Sequence, residues 1–92
     1  MVNRWNIPLK LENFIKLRDK NCFYCGKAFK NNHKDKATWE HIDNEIINIT
    51  KENIVLCCAS CNSSKGSKIL GEWLKTPYCK KYNINQKVKI LY

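Results

Sequence analysis

After Trp5, Ile7 and Pro8, the residues Leu11, Phe14, Ile15 and Arg18 recur at steps of three and four, the period of an amphipathic helix. Pro8 suits a helix start, where its missing N–H costs nothing, and Glu12 early with Lys16 and Arg18 late complements the helix dipole. The pattern predicts a helix from about Leu9 to Lys20, capped by Asn21. The period then breaks. Cys22-Phe23-Tyr24-Cys25-Gly26-Lys27 reads as a tight turn with Gly26 as its permissive residue, and Asn31 to Lys36 as an exposed loop. Ala37 to Ile42 predicts a strand and Asp43-Asn44 a turn. Glu45 to Asn53 is a longer connection whose Ile46, Ile47 and Ile49 are expected to fold back onto the core. Ile54-Val55-Leu56-Cys57 is a short buried strand, so the two strands form a β-hairpin. Asn62-Ser63-Ser64-Lys65 predicts a short helix ended by Gly66. A second helix is expected from Ser67 to Leu74, with Ile69, Leu70 and Trp73 on one face, interrupted or kinked at Pro77. Val88, Ile90 and Tyr92 alternate weakly, as in a terminal strand. No repeat, low-complexity tract or linker divides residues 1–92, which read as one small α+β domain.

A chain of 92 residues buries a modest core, so a covalent or metal staple is expected. Six cysteines are available for it. Met1-Val2-Asn3-Arg4 is not an apolar leader, which favours the reducing cytoplasm, where thiolates more often hold metal than form disulfides. No apolar run is long enough to cross a bilayer, so no membrane partner is expected. The formal net charge of +9 and the pI near 9.4 call for a polyanion. Nucleic acid is favoured over an anionic membrane because the charge is spread along the chain and is not gathered on one amphipathic helix. Lys80, Lys81, Lys87 and Lys89 read equally well as a solvated face or a DNA-binding arm.

Two C-x2-C pairs flanking a hairpin are a strong zinc signal, since each short loop presents two thiolates to one tetrahedral ion. Cys22 and Cys25 form the first pair. In the second, Cys57 or Cys58 partners Cys61; equal spacing selects Cys58 and leaves Cys57 as a small buried strand residue. Cys79 stands alone as a packed or partly exposed thiol. A closed four-thiolate site has no open position, so this zinc would be structural. Catalysis therefore falls to Glu40 and His41, between the two pairs. An isolated Glu-His pair is ordinarily a solvated strand end. Here Asn62, directly after the last cysteine, adds a third group suited to a hard cation. Neighbouring strand side chains alternate faces, so Glu40 and His41 reach one ion only at a strand end or bulge. His33 reads as an exposed loop residue, Trp5 and Trp73 as core aromatics, and Trp39 as packing behind the dyad.

Cys22-x2-Cys25, Glu40-His41-Ile42, Asn53-Ile54-Val55-Leu56 and Cys58-x2-Cys61-Asn62-x2-Lys65-Gly66, over residues 22–66, resemble the HNH endonucleases, the ββα-metal nucleases. The layout is most similar to the zinc-stapled branch, which includes the endonuclease VII type of phage resolvase and several restriction enzymes. The resemblance implies a zinc-stapled ββα-metal core with an N-terminal helix and a C-terminal helical extension, hydrolysing DNA phosphodiesters with Mg2+ or Mn2+. It further implies His41 as general base, Glu40 and Asn62 as ligands of the catalytic ion, Asn53 as support for the loop and the histidine, and Lys65 and Lys68 near the DNA phosphates. The family more often has aspartate at the position of Glu40, so either the ion is held in a different geometry or Asp43 assists. The leading expectation is a restriction-type, site-specific enzyme cutting double-stranded DNA as a homodimer in a prokaryotic or phage-infected cytoplasm. The alternatives are a non-specific or structure-selective nuclease, a zinc module that binds nucleic acid without cutting it, and a zinc-stapled protein-interaction domain, against which the strong positive charge counts.

Overall fold

The computed structural model describes residues 7–45 and 47–84. Helix α1 spans Leu9–Arg18, strand β1 Ala37–His41, strand β2 Ile54–Cys58, helix α2 Ala59–Lys65, helix α3 Leu70–Trp73 and helix α4 Pro77–Lys81. The fold is α+β, with a ββα unit at its centre. β1 and β2 pair antiparallel in the register Ala37↔Cys58, Thr38↔Cys57, Trp39↔Leu56, Glu40↔Val55, His41↔Ile54. Every residue of β2 is buried, because the strand divides two apolar clusters. Ile54 and Leu56 meet Ile7 and Ile15 on one face, while Val55 and Cys57 meet Tyr24, Ile42, Leu70, Trp73 and Cys79 on the other. The period of two that puts alternate residues on opposite faces thus serves two half-cores at once. Full burial of each Ile, Leu or Val contributes about 1.5–3 kcal/mol, so the short hairpin is held chiefly by what covers it.

α1 stops at Arg18, earlier than the expected Lys20, and Asp19 rather than Asn21 caps it. Asp19 is occupied elsewhere: its Oδ2 accepts the Leu56 N–H at 3.1 Å and its carboxylate pairs with Arg18. The Phe23 N–H donates to the Leu56 carbonyl at 3.0 Å. The edge of β2 away from β1 is therefore covered by the chain that leaves α1, which protects it from pairing with another strand. Phe14, expected on the buried face, is exposed together with Leu9 and Leu17. The Phe14 ring instead lies under the cations of Arg18 and Lys51.

α2 begins at Ala59, three residues before the expected start, because the Cys58 thiol caps it by accepting the Cys61 N–H at 3.4 Å. It ends as expected at Gly66, whose φ of 51° suits glycine. The helix expected over 67–74 contracts to the single turn α3, with Leu70 and Trp73 buried and Ile69 exposed. Pro77 does not kink that helix but opens α4, at the first-turn position where proline fits. Trp73 is fully buried between Tyr24 and Tyr78, with its indole N–H on Ser64 Oγ at 2.9 Å. Of the isoleucines expected to fold back, Ile49 packs against the α1 cluster but Ile47 is 84% exposed. Ile46, Trp5 and the weak terminal strand at Val88, Ile90 and Tyr92 lie outside the described residues. Among the described residues no helix is long and apolar enough to cross a membrane.

Candidate active site

The first cysteine turn is a miniature hairpin: the Cys22 N–H donates to the Lys27 carbonyl, the Gly26 N–H to the Cys22 carbonyl, and Asn21 bridges Ala28. Gly26 allows it with φ 78°. The Cys25 N–H points at Cys22 Sγ at 3.4 Å, matching the Cys61 N–H on Cys58 Sγ at the head of α2. The two turns bring Cys22, Cys25, Cys58 and Cys61 together with all four sulfurs within 4.8 Å of one another, and Cys25 and Cys58 3.9 Å apart. Tetrahedral metal–sulfur bonds of about 2.3 Å place sulfurs about 3.8 Å apart, so the tetrad fits an ion. The four thiols also perturb one another. Cys22 is drawn down to about 5, first by its hydrogen bond with the Cys61 thiol and then by backbone N–H groups. Burial lifts Cys25 to about 11, and the same Cys22 contact, together with burial, lifts Cys61. Four thiolates this close repel one another unless a cation sits among them. Cys57 is not a member: it is buried in the core, with Thr38 Oγ1 3.7 Å from its sulfur. Cys79 is likewise buried in that core.

Trp39, Glu40, His41, Asn44, Asn62, Gly66 and Ser67 line a cleft of about 270 Å³. The strand register puts Glu40 opposite Val55 and His41 opposite Ile54, hence on opposite faces. Both reach the cleft because β1 ends at His41, where the Asn44 N–H turns back to the His41 carbonyl at 2.9 Å. Burial lowers the affinity of the His41 imidazole for a proton, against the pull of Glu40 and Asp43. Asn62 enters from α2, its amide Nδ2 held by Thr38 Oγ1 at 3.0 Å and the Trp39 carbonyl at 3.1 Å. Among the described residues its Oδ1 accepts no hydrogen bond, which leaves that oxygen for a ligand.

The buried Glu40 carboxylate is held through Oε2, which accepts from the Tyr24 hydroxyl at 2.7 Å and sits 3.0 Å from Lys65 Nζ. Lys65, expected at the DNA phosphates, is 0% exposed. Its ammonium also donates to Asn44 Oδ1 at 2.7 Å. Lys68 is exposed, with Nζ on the Ser64 carbonyl. Asp43 does not line the cleft. Its Oδ1 accepts the Glu45 N–H and its Oδ2 the Asn48 amide, so it serves the loop.

Asn53 is 1% exposed. Its Oδ1 accepts the Asp43 N–H, its Nδ2 donates to the Asn48 carbonyl, and its backbone carbonyl accepts the Ile42 N–H. It ties the loop that follows His41 shut and does not line the cleft. Asn53→Ala is expected to lower the free energy of unfolding by about 2 kcal/mol, since buried partners lose their bonds. An unchanged urea midpoint would show that the loop is held by other contacts.

Two residues of this site were not singled out in the sequence. Tyr24 lies between two ligand cysteines, where a buried tyrosine needs a partner for its hydroxyl. Asn44 adopts φ 64° and donates to the Ser67 and Lys68 carbonyls, stitching the turn after His41 to the exit of α2. The Asp-Asn turn was the only trace of it. His33 is exposed as expected and lies away from the cleft, beside Lys34, Ser60 and Tyr78.

The family model for HNH endonuclease matches residues 22–68, about half of the chain. The chain is also 32% identical over 65 residues, 65% of its own length and 69% of the other's, to a Lactococcus phage SK1 protein named "Probable HNH endonuclease". No solved structure matches it. The matched residues 22–68 contain the tetrad, the hairpin and all seven residues of the cleft, and the chain belongs to the HNH endonuclease family.

Proposed function

We propose that this protein is a metal-dependent endonuclease that cuts double-stranded DNA at specific sites as a homodimer, with zinc in the cysteine tetrad and Mg2+ or Mn2+ on Glu40 and Asn62. The observation that carries the reading is the convergence of Glu40, His41 and Asn62 on one cleft beside that tetrad. Family membership supports nuclease activity on DNA, and the net charge of +9 suits a polyanionic substrate. The phage relative is in keeping with a phage or prokaryotic setting. A homodimer suits such a site, because one short hairpin-helix surface reads few bases and cutting both strands takes two sites.

His41 takes the proton of the attacking water on its imidazole. Glu40 and Asn62 would hold the divalent ion through their side-chain oxygens, and the ion would supply positive charge for the cleavage of the phosphodiester. Exposed Lys68 contributes to holding the backbone.

Incubating the zinc-loaded protein with plasmid DNA and Mg2+ or Mn2+ tests this reading. Discrete fragments are expected. A smear would replace site specificity with a non-specific nuclease, and binding without cutting on any DNA tried would favour a non-catalytic module. Binding should also fall with salt, by about 40-fold between 50 and 200 mM if about three phosphates are neutralised. Affinity independent of salt would remove the phosphate backbone from the reading.

A further inference from the structure

Lys65 is a cation with no solvent exposure in a chain whose other lysines are mostly at the surface. A lysine is buried only when its charge is paired, and Lys65 meets Glu40 Oε2 and Asn44 Oδ1. Tyr24 reaches the same carboxylate oxygen from the first cysteine turn. Neither Lys65 nor Tyr24 lines the cleft that Glu40 lines. Among the described residues Glu40 Oε1 accepts no hydrogen bond, so all the anchoring falls on one oxygen.

We infer that Tyr24 and Lys65 are positioning residues that clamp Oε2 of Glu40 from behind, so that Oε1 is the oxygen offered to a divalent ion, and that Lys65 makes no phosphate contact. This rests on the reading of Glu40 as a ligand of that ion. It also gives the cysteine tetrad a second role. Tyr24 stands between two of its members, so an ion that orders the first turn also orders the carboxylate. Partners behind a ligating carboxylate set its orientation, and their loss typically costs about 10–100-fold in metal affinity or activity.

The test uses the zinc-loaded full chain and Mn2+ as the probe, with free Mn2+ counted by electron paramagnetic resonance. Tyr24→Phe, which removes one oxygen, is expected to weaken Mn2+ binding about tenfold while zinc stays at the wild-type stoichiometry. Lys65→Met is expected to lower the urea midpoint, because a buried carboxylate loses its counter-charge. The double variant Glu40→Gln/Lys65→Met should recover most of that loss, as a direct interaction requires. DNA affinity of folded Lys65→Met, measured with Ca2+ in place of Mn2+, should keep the wild-type salt slope.

If Glu40→Gln leaves Mn2+ affinity unchanged, the ion-site reading fails and the positioning inference falls with it. If Glu40→Gln abolishes Mn2+ binding but Tyr24→Phe leaves it at the wild-type value, the reading stands and the clamp is wrong. A Lys65→Met chain as stable as wild type that binds DNA about tenfold more weakly with a shallower salt slope would return Lys65 to the phosphates. Should Lys65→Met fail to fold, the Tyr24→Phe titration and the double variant still decide.

Discussion

DNA cleavage by His41→Ala is expected to fall by roughly 10²–10⁴-fold relative to wild type, the span that a positioned general base typically supplies. The prediction follows from placement. His41 is the last residue of β1, is largely buried, lines the cleft with Glu40 and Asn62, and has its affinity for a proton lowered by burial. Removing the ring deletes the proton acceptor but none of the exposed lysines that would engage phosphate. DNA affinity measured on the same preparation should therefore stay within about twofold of wild type, a difference of under 0.5 kcal/mol. Retained affinity with lost cleavage separates chemistry from folding. A His41→Ala protein that cuts at the wild-type rate would mean that water is activated by another group, and the assignment of His41 would be withdrawn.

The second large effect concerns the metal of the tetrad. Structural zinc contributes an apparent binding free energy of roughly 10–16 kcal/mol in small zinc domains, as large as a domain's whole typical net stability of about 5–15 kcal/mol. Stripping the ion is therefore expected to abolish cooperative unfolding and most of the helical circular dichroism, with recovery on adding Zn2+. Cys58→Ser should do nearly the same, because this residue ends β2, caps α2 and belongs to the tetrad. Cys57→Ser and Cys79→Ser serve as the contrast. Both residues are buried in the core but stand outside the tetrad, so one zinc per chain should survive each change. Elemental analysis of the four proteins decides the point. Full zinc in Cys58→Ser and none in Cys57→Ser would reverse the choice between these neighbours. A metal-free chain that unfolds cooperatively at the wild-type midpoint would show that the two half-cores suffice.

Loop closure is where the sequence spoke most clearly. A C-x2-C turn is closed within a few residues, so its geometry follows from spacing alone, and the tetrad is assembled as the two pairs implied. The two strands were legible because β-branched and aromatic residues cluster over short spans, and their boundaries differ from expectation by one residue at each C-terminal end. Helix ends were less legible. α1 stops where Asp19 turns to the backbone of β2, a contact across 37 positions that no local period records.

The dyad, Asn62 and their arrival at one place were readable because they sit at fixed offsets from elements that spacing had already located. What only the tertiary structure decided is the environment behind them. Lysine reads as a surface residue until a carboxylate is brought opposite it, and Lys65 meets Glu40 and Asn44 only after the hairpin and α2 have folded together. Tyr24 likewise finds its acceptor across 16 positions. Such partners are chosen by the cost of burying an unpaired charge or hydroxyl, which depends on which side chains meet across the fold and leaves no mark in spacing. Sequence alone thus determined the cysteine pairs, the hairpin and the order of the cleft residues along the chain. Tertiary packing decided which lysine is buried and which oxygen of Glu40 it pairs with.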